Sequence, residues 1–279
     1  MPKGQVVTIG GNLDFFPEDP IIVEFLDRIR NNLGHSPIIG IIPSASLNPI
    51  RTGKKYSHLF KCDDIKTKVI YPETREEANM ESTVEEIEEC EAFFFTGGNQ
   101  LRITSLLGGT ESLKAIKEKF EEGAFIGGTS AGSVCLTRTM IAYGKSKESL
   151  LHGKVELSPG LSIIEDAVID THFTARGRFP RLVHVVTEHP GILGVGLGED
   201  TAAFWDLEKK EFFVIGSRNI VVVDGKEIGL SNVPNIKYRE PICVEGIRVH
   251  ILGNGWGYDL ENHKPYYNEE FKATHPEDW

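Results

Sequence analysis

The chain contains the stretch Phe125-Ile126-Gly127-Gly128-Thr129-Ser130-Ala131-Gly132-Ser133-Val134, in which a short apolar run leads into the pattern Gly-x-Ser-x-Gly. We expect a strand that ends at this pattern and a helix that follows it from Ala131 to Arg138. A serine among small residues, on a sharp turn from strand to helix, is the context of a nucleophile elbow. Such a turn aims the Ala131 N–H and the helix N-terminus at an oxyanion formed when Ser130 attacks a carbonyl. The pattern alone also fits a β–α turn that binds phosphate or only packs.

Apolar runs like the one at 124–126 recur upstream and alternate with helical patterns. They lie at 6–9, 38–42, 68–71 and 92–95. Uniformly apolar runs suit strands that are covered on both faces. Between the first two runs, Asp19 is expected to cap a helix that begins at Pro20 and stops at Gly34. The alternation predicts an α/β fold with a doubly wound, mostly parallel sheet.

The sequence changes character after about Gly198. The stretches 201–205, 211–215 and 219–223 have the composition of short strands joined by turns, which predicts an antiparallel meander at the edge of the sheet. We therefore expect a single domain over 1–279. Its core and active site would occupy about 1–204, and the edge strands and a C-terminal extension about 205–279.

The composition argues against several classes of protein. The 279 residues include 30 basic and 41 acidic side chains, for a net charge of −11. Binding to nucleic acid or to an anionic membrane normally needs a basic face, so neither partner is expected. No apolar run approaches the roughly 20 residues that cross a bilayer, and the first run is too short for a signal-peptide core, so we expect a cytoplasmic protein. The four cysteines are scattered, which predicts reduced thiols rather than disulfides or a zinc site.

A nucleophilic serine needs a base, and the base needs an orienting group. Among the nine histidines, His172 is the best candidate, because it follows the apolar run 168–170 and would lie at the edge where α/β sites assemble. The run 192–198 ends in Glu199-Asp200 and offers an acid at a comparable edge. On the residues alone, His172 would equally fit a structural histidine.

A third glycine-rich edge follows the run 92–95. The pair Gly97-Gly98 permits close backbone approach, so the Gly98 N–H could supply a second oxyanion donor and Gln100 could touch substrate. An ordinary start of a helix explains this segment equally well. His184 and His189 suggest a metal pair at first sight, but on a helix they would lie roughly 140° apart, so no metal site is predicted.

Four motifs in this order resemble those of the cyanophycinase group of serine peptidases, family S51, which is related to aspartyl dipeptidase (peptidase E). They lie at 95–102, 127–132, 170–182 and 198–202, and the resemblance extends from Ile9 to about Ala203. It implies a fold like that of class I glutamine amidotransferases and a Ser–His–Glu triad. The triad residues would be Ser130, His172 and Glu199, with Glu148 as a rival acid.

Cyanophycinases hydrolyse cyanophycin, a poly-aspartate with arginine on each side-chain carboxylate, to β-aspartyl-arginine. The resemblance assigns the substrate contacts to the segment after the histidine, that is to Arg176, Arg178 and Arg181, whose guanidinium groups can hold carboxylates. Gln100 and Asp170 would complement them, with Asp170 suited to a substrate arginine. Alternatively, Arg178 and Arg181 form a solvated helix face. The resemblance implies no cofactor and a homodimer.

Thr171 departs from the family pattern, since cyanophycin-degrading members carry glutamine just before the histidine. The loss of a long amide leaves open an aspartyl or isoaspartyl dipeptidase that acts on short acidic peptides. A non-catalytic protein that binds β-aspartyl peptides is the alternative outside the enzymes. A glutamine amidotransferase would need cysteine at the elbow, and Cys135 lies too far along the helix.

Overall fold

A computed structural model describes residues 4–13, 16–33, 36–61 and 64–267. Its strands are β1 (Val6–Ile9), β2 (Ile38–Ile42), β3 (Lys66–Val69), β4 (Ala92–Phe95), β5 (Phe125–Thr129), β6 (Thr139–Gly144), β7 (Val155–Pro159), β8 (Ala167–Asp170), β9 (Leu193–Leu197), β10 (Thr201–Asp206), β11 (Glu211–Gly216), β12 (Ile220–Asp224), β13 (Leu230–Ser231), β14 (Val244–Glu245), β15 (Arg248–Leu252), β16 (Trp256–Asp259) and β17 (Lys264–Tyr267). Its helices are α1 (Pro20–Leu33), α2 (Pro49–Leu59), α3 (Glu81–Glu88), α4 (Gln100–Leu107), α5 (Glu111–Glu121), α6 (Ala131–Val134) and α7 (Phe179–Glu188). Short 3-10 helices cover Glu77–Asn79, Ser146–Glu148 and Val233–Asn235.

The larger sheet that the described residues form has the order β17-β16-β11-β10-β1-β5-β4-β2-β3. Strands β1, β5, β4, β2 and β3 are parallel, whereas β10 runs antiparallel to β1 and continues into β11, β16 and β17. Every residue of β1, β4 and β5 is buried, because apolar clusters cover both faces. The prediction of an α/β fold around a large, mostly parallel sheet is confirmed.

Helix α1 begins as the sequence predicts. The Asp19 side chain accepts hydrogen bonds from the backbone N–H groups of Ile21 at 2.8 Å and Ile22 at 3.3 Å, which satisfies amides that the helix itself leaves without acceptors. Phe25 is fully buried, with its ring centroid 5.7 Å from that of Phe94. The helix therefore covers one face of the sheet; its expected stop, Gly34, lies outside the described residues.

The expected meander is wrong in its third strand. Strand β12 does not follow β11 into the larger sheet but pairs with β9 and β15 in a second sheet of order β15-β12-β9-β8. The turn between them begins at Gly216, whose φ of +133° directs the chain away from β11, and Ser217 N then bonds to Asp200 O at 2.9 Å. Strand β11 pairs with β16 instead.

The helix after the elbow is shorter than expected. It ends at Val134 rather than Arg138. Thr137 forms a bridge with Ile164, and Arg138 N bonds to Ile164 O at 2.8 Å, so the backbone groups that would continue the helix are used elsewhere. Because this helix, α6, has only one turn, it presents backbone amides to the site but not the dipole of a long helix.

Two composition-based expectations concern the helices and the cysteines. Within the described ranges, no helix combines the length and the apolar character needed for a membrane crossing. Cys90 and Cys135 are buried free thiols and Cys243 is an exposed one, while Cys62 lies outside the described residues. Burial raises the pKa of Cys90 to about 12 and that of Cys135 further, so both stay protonated.

Candidate active site

Ser130 lies on a strained turn directly after β5. Its φ of +53° and ψ of −118° fall in a region that residues other than glycine rarely adopt, which costs on the order of 1–3 kcal/mol and is typical of functional turns. The turn is held by Ser133, whose hydroxyl donates to Gly128 O at 2.6 Å and accepts from Ile9 N at 2.8 Å. A Cβ atom at Gly132 would lie 2.0 Å from Phe95 O, so the elbow requires glycine there.

His172 follows β8 and faces Ser130. The distance from Ser130 Oγ to His172 Nε2 is 2.9 Å, and His172 Nδ1 lies 2.7 Å from Glu199 Oε1. Because a carboxylate only accepts, Nδ1 carries the proton and donates to Glu199, which leaves Nε2 to accept from the serine hydroxyl. This is the tautomer that a general base requires.

The two candidate acids occupy different places. Glu199 follows β9 and meets His172 as described, whereas Glu148 lies in the loop between β6 and β7 and pairs with Lys154 Nζ at 3.4 Å. The structure therefore brings Glu199, and not Glu148, together with Ser130 and His172.

The pair Gly10-Gly11, just after β1, joins the two sheets at the site. Gly10 O accepts from His172 N and Gly11 O from Asp200 N, both at 2.9 Å. Gly11 has a φ of +97°, and a Cβ atom there would lie 2.5 Å from the imidazole of His172. No role for this pair was predicted from the sequence, although paired glycines after a strand were the signal used for Gly97-Gly98.

A cavity of about 290 Å³ opens in front of Ser130 and His172, and Gly98 and Ala131 line it. Gly98 has a φ of +147°, and a Cβ atom there would lie 2.1 Å from Ala45 O. Ala131 N is the first amide of α6, where no intrahelical acceptor exists. Both expected oxyanion donors thus border the space next to the serine.

Arg176, Arg178 and Arg181 line the same cavity. Arg181 is only 8% exposed, so the alternative of a solvated helix face is wrong. Its Nε lies 2.9 Å from Asp170 Oδ2, and one of its terminal nitrogens donates to Gly144 O at 3.0 Å. Arg176, by contrast, is exposed at the mouth.

Asp170, which the resemblance suited to a substrate arginine, lines the cavity but is paired with two arginines of the protein itself. Its carboxylate is 0% exposed and lies between Arg178, at 2.9 Å, and Arg181. Burial raises the pKa of Asp170, and the positive charges of Arg181 and Arg178 oppose that shift. Asp170 therefore orients the two guanidinium groups. Three arginines against one aspartate leave the cavity with a formal excess of two positive charges, which favours carboxylate ligands.

Gln100 and Thr171 are also engaged with the protein itself. Gln100 Nε2 donates to Ile141 O at 2.8 Å and Ala142 O at 3.4 Å, at the point where β6 has a bulge. Thr171 is buried, and its carbonyl accepts from Arg178 at 2.7 Å. Both residues line the cavity, Gln100 with its amide nitrogen already bonded.

His184 does not face His189. Its Nδ1 bonds to Ser149 O at 2.6 Å, and its Nε2 lies 3.1 Å from Glu188. In the part of the chain that the structure describes, no three His, Cys, Asp or Glu side chains are grouped as metal ligands.

We expect Asp170→Ala to lower the free energy of unfolding by about 3 kcal/mol, because it leaves two partly buried guanidinium groups without their counter-ion. Urea denaturation of the purified variant measures this change. The control is Asp166→Ala, an exposed aspartate just before the same strand, which should change stability by less than about 0.5 kcal/mol. Equal stabilities of the two variants would contradict the role given to Asp170.

Comparison with known proteins places these features in context. A family model described as peptidase family S51 matches residues 10–212. A cyanophycinase from Synechococcus elongatus is 34% identical over 264 residues, which are 94% of this chain and 81% of that protein. A cyanophycinase from Geminocystis herdmanii (strain PCC 6308) is 35% identical over 266 residues, which are 94% and 96% of the two chains. The crystal structure of a peptidase from an acI-B1 Actinobacterium has a TM-score of 0.63 at 20% identity and covers 80% of this chain and 92% of its own, a similarity of fold.

Proposed function

The chain belongs to peptidase family S51, and from this premise we infer that it is a serine-type exopeptidase that hydrolyses cyanophycin to β-aspartyl-arginine. The observation that carries the proposal is the hydrogen-bonded series from Ser130 Oγ through the His172 ring to Glu199 Oε1, at 2.9 Å and 2.7 Å. This series opens on a cavity whose excess positive charge suits a substrate rich in carboxylates.

In the proposed mechanism, Ser130 Oγ attacks the carbonyl carbon of a backbone peptide bond, and His172 Nε2 takes the hydroxyl proton. Glu199 stabilises the imidazolium that forms. The N–H groups of Gly98 and Ala131 donate to the oxyanion of the tetrahedral intermediate. His172 then gives its proton to the leaving amine, and a water molecule, activated by the same ring, hydrolyses the acyl-enzyme.

The arginines are proposed to bind the substrate's carboxylates. Cyanophycin carries an α-carboxylate at the end of every side chain, in addition to its C-terminal carboxylate. Arg178 and Arg181 are held in place by Asp170, so their remaining donors need little reordering on binding. Arg176, exposed at the mouth, is free to follow the ligand.

The finer fold assignment belongs to the same proposal. The parallel strands β3, β2, β4, β5 and β1, with a nucleophile directly after β5, support a class I glutamine amidotransferase-like fold within one peptidase domain. The cytoplasmic location and the homodimer stay predictions from the family resemblance.

Incubation of the purified protein with cyanophycin, followed by chromatography and mass analysis, tests the substrate. We expect β-aspartyl-arginine as the released product, and no release by the Ser130→Ala protein prepared in the same way. If cyanophycin stays intact while an aspartyl dipeptide is cleaved, the substrate assignment is wrong and the smaller acidic peptides suggested by Thr171 take its place.

A further inference from the structure

A second cavity, of about 140 Å³, adjoins the catalytic one, and Tyr143 lines both. We propose that this second cavity binds the zwitterionic arginyl side chain of a repeat unit that lies beyond the two units flanking the scissile bond, while the catalytic cavity holds the unit being released. The proposal rests on the proposed function, because it takes cyanophycin as the substrate.

Tyr143 is turned toward solvent at the border of the two cavities. The register of β6 against β7 shifts between Ile141 and Tyr143, and such bulges re-aim side chains next to active sites. The side chain of Gln100, bonded to the carbonyls of Ile141 and Ala142, holds this bulge from the catalytic side. Tyr143 is consequently 54% exposed although it lies within a strand.

Tyr238 reaches the same cavity from a distant part of the chain. Its loop is fixed alongside the β6–β7 loop by hydrogen bonds from Arg239 N to His152 O at 3.0 Å and from His152 N to Glu240 O at 2.9 Å. The ring packs so closely on Gly153 that a Cβ atom there would lie 2.6 Å from it. Nevertheless Tyr238 is 64% exposed. A fixed and exposed aromatic ring is a surface on which a guanidinium group stacks well.

The charges around the second cavity balance. Lys145 and Lys154 face Glu148 and Glu156, which gives a formal charge of zero, unlike the positive catalytic cavity. Lys154 pairs with Glu148 at 3.4 Å and lies 5.4 Å from the Tyr238 ring centroid, so the ring already attracts a cation.

Lys145 and Glu156 are the two charged side chains of the second cavity that are available to a ligand. Both are exposed, and neither forms an ion pair with another described residue. Glu156 is the cross-strand partner of Tyr143, so the two side chains lie on the same face of the hairpin. The carboxylate of Glu156 beside two tyrosine rings suits a guanidinium group, and the ammonium group of Lys145 suits a carboxylate. An arginine linked through its α-amine carries both groups.

The test compares kcat/KM on cyanophycin fragments of two and of six repeat units. We expect Tyr238→Ala and Glu156→Gln to lower the ratio of the long-fragment to the short-fragment value by about fivefold, since each loses one exposed cation contact. Tyr238→Phe keeps the ring face and should keep the ratio. Glu208→Gln, an exposed acid in the turn between β10 and β11, is the matched charge control. An unchanged ratio in both test variants would overturn the proposal.

A second measurement separates this proposal from the proposed function. If the unmodified protein cleaves neither fragment, the proposed function fails, and binding of Nα-acetyl-arginine then decides on the second cavity. With 3-fluorotyrosine incorporated, the ¹⁹F signal of Tyr238, assigned by its loss in Tyr238→Phe, should shift on addition of this probe. The shift should be weaker in Glu156→Gln and unchanged in Glu208→Gln. No shift in the unmodified protein would contradict the proposal.

Discussion

Replacement of Ser130 by alanine is expected to lower kcat on cyanophycin by about 10⁴-fold or more, since the members of a catalytic triad act as one unit. Alanine tolerates the positive φ of the elbow about as well as serine does, so the fold should be kept. The 2.9 Å contact with His172 Nε2 is lost, and with it the hydroxyl that is proposed to attack the carbonyl. Release of β-aspartyl-arginine under saturating substrate measures the effect.

Binding provides the control for this prediction. The Ser130→Ala protein should bind a cyanophycin fragment with a Kd close to that of the unmodified protein, because the cavity arginines are untouched. Ser105→Ala, at an exposed position of α4, should leave turnover unchanged. If Ser130→Ala kept a tenth or more of the normal turnover, a serine mechanism at this elbow would be wrong.

The strands near the site could be predicted from the sequence, and the reason is local. Uniform apolar runs followed by glycine mark buried parallel strands, so the ends of β1, β4 and β5 could be expected at one edge. Asp19 and Pro20 likewise mark the start of α1 by groups that act within one turn. Such signals need no knowledge of distant partners.

Features that depend on distant partners could not be predicted. The apolar run of β12 is the same whether its neighbour is β11 or β9, so the second sheet was not foreseen. The pairing of Asp170 could not be predicted either, because a carboxylate after a strand does not reveal that Arg178 and Arg181 form ion pairs with it. The family resemblance predicted Glu199 as the triad acid, but the residues alone left Glu148 open, because both are acids on turns and only the contact with His172 distinguishes them.

Glu199→Gln is expected to lower kcat by about 10³- to 10⁴-fold with little change in shape. An amide in place of the proposed triad carboxylate no longer favours the tautomer of His172 that a general base needs, nor does it stabilise the imidazolium. The effect should fall on kcat, because Glu199 does not line the cavity that is proposed to bind the substrate.

The matched comparison is Glu148→Gln. It is measured on the two-unit fragment, so that substrate binding in the second cavity does not affect the result. Glu148 is half-exposed and paired with Lys154, and loss of such an exposed ion pair changes free energies by less than about 1 kcal/mol. The expected gap between the two variants is therefore two to three orders of magnitude in kcat. A loss in Glu148→Gln as large as that in Glu199→Gln would mean that the β6–β7 loop moves onto His172 during catalysis and that Glu148 supplies the third member of the triad.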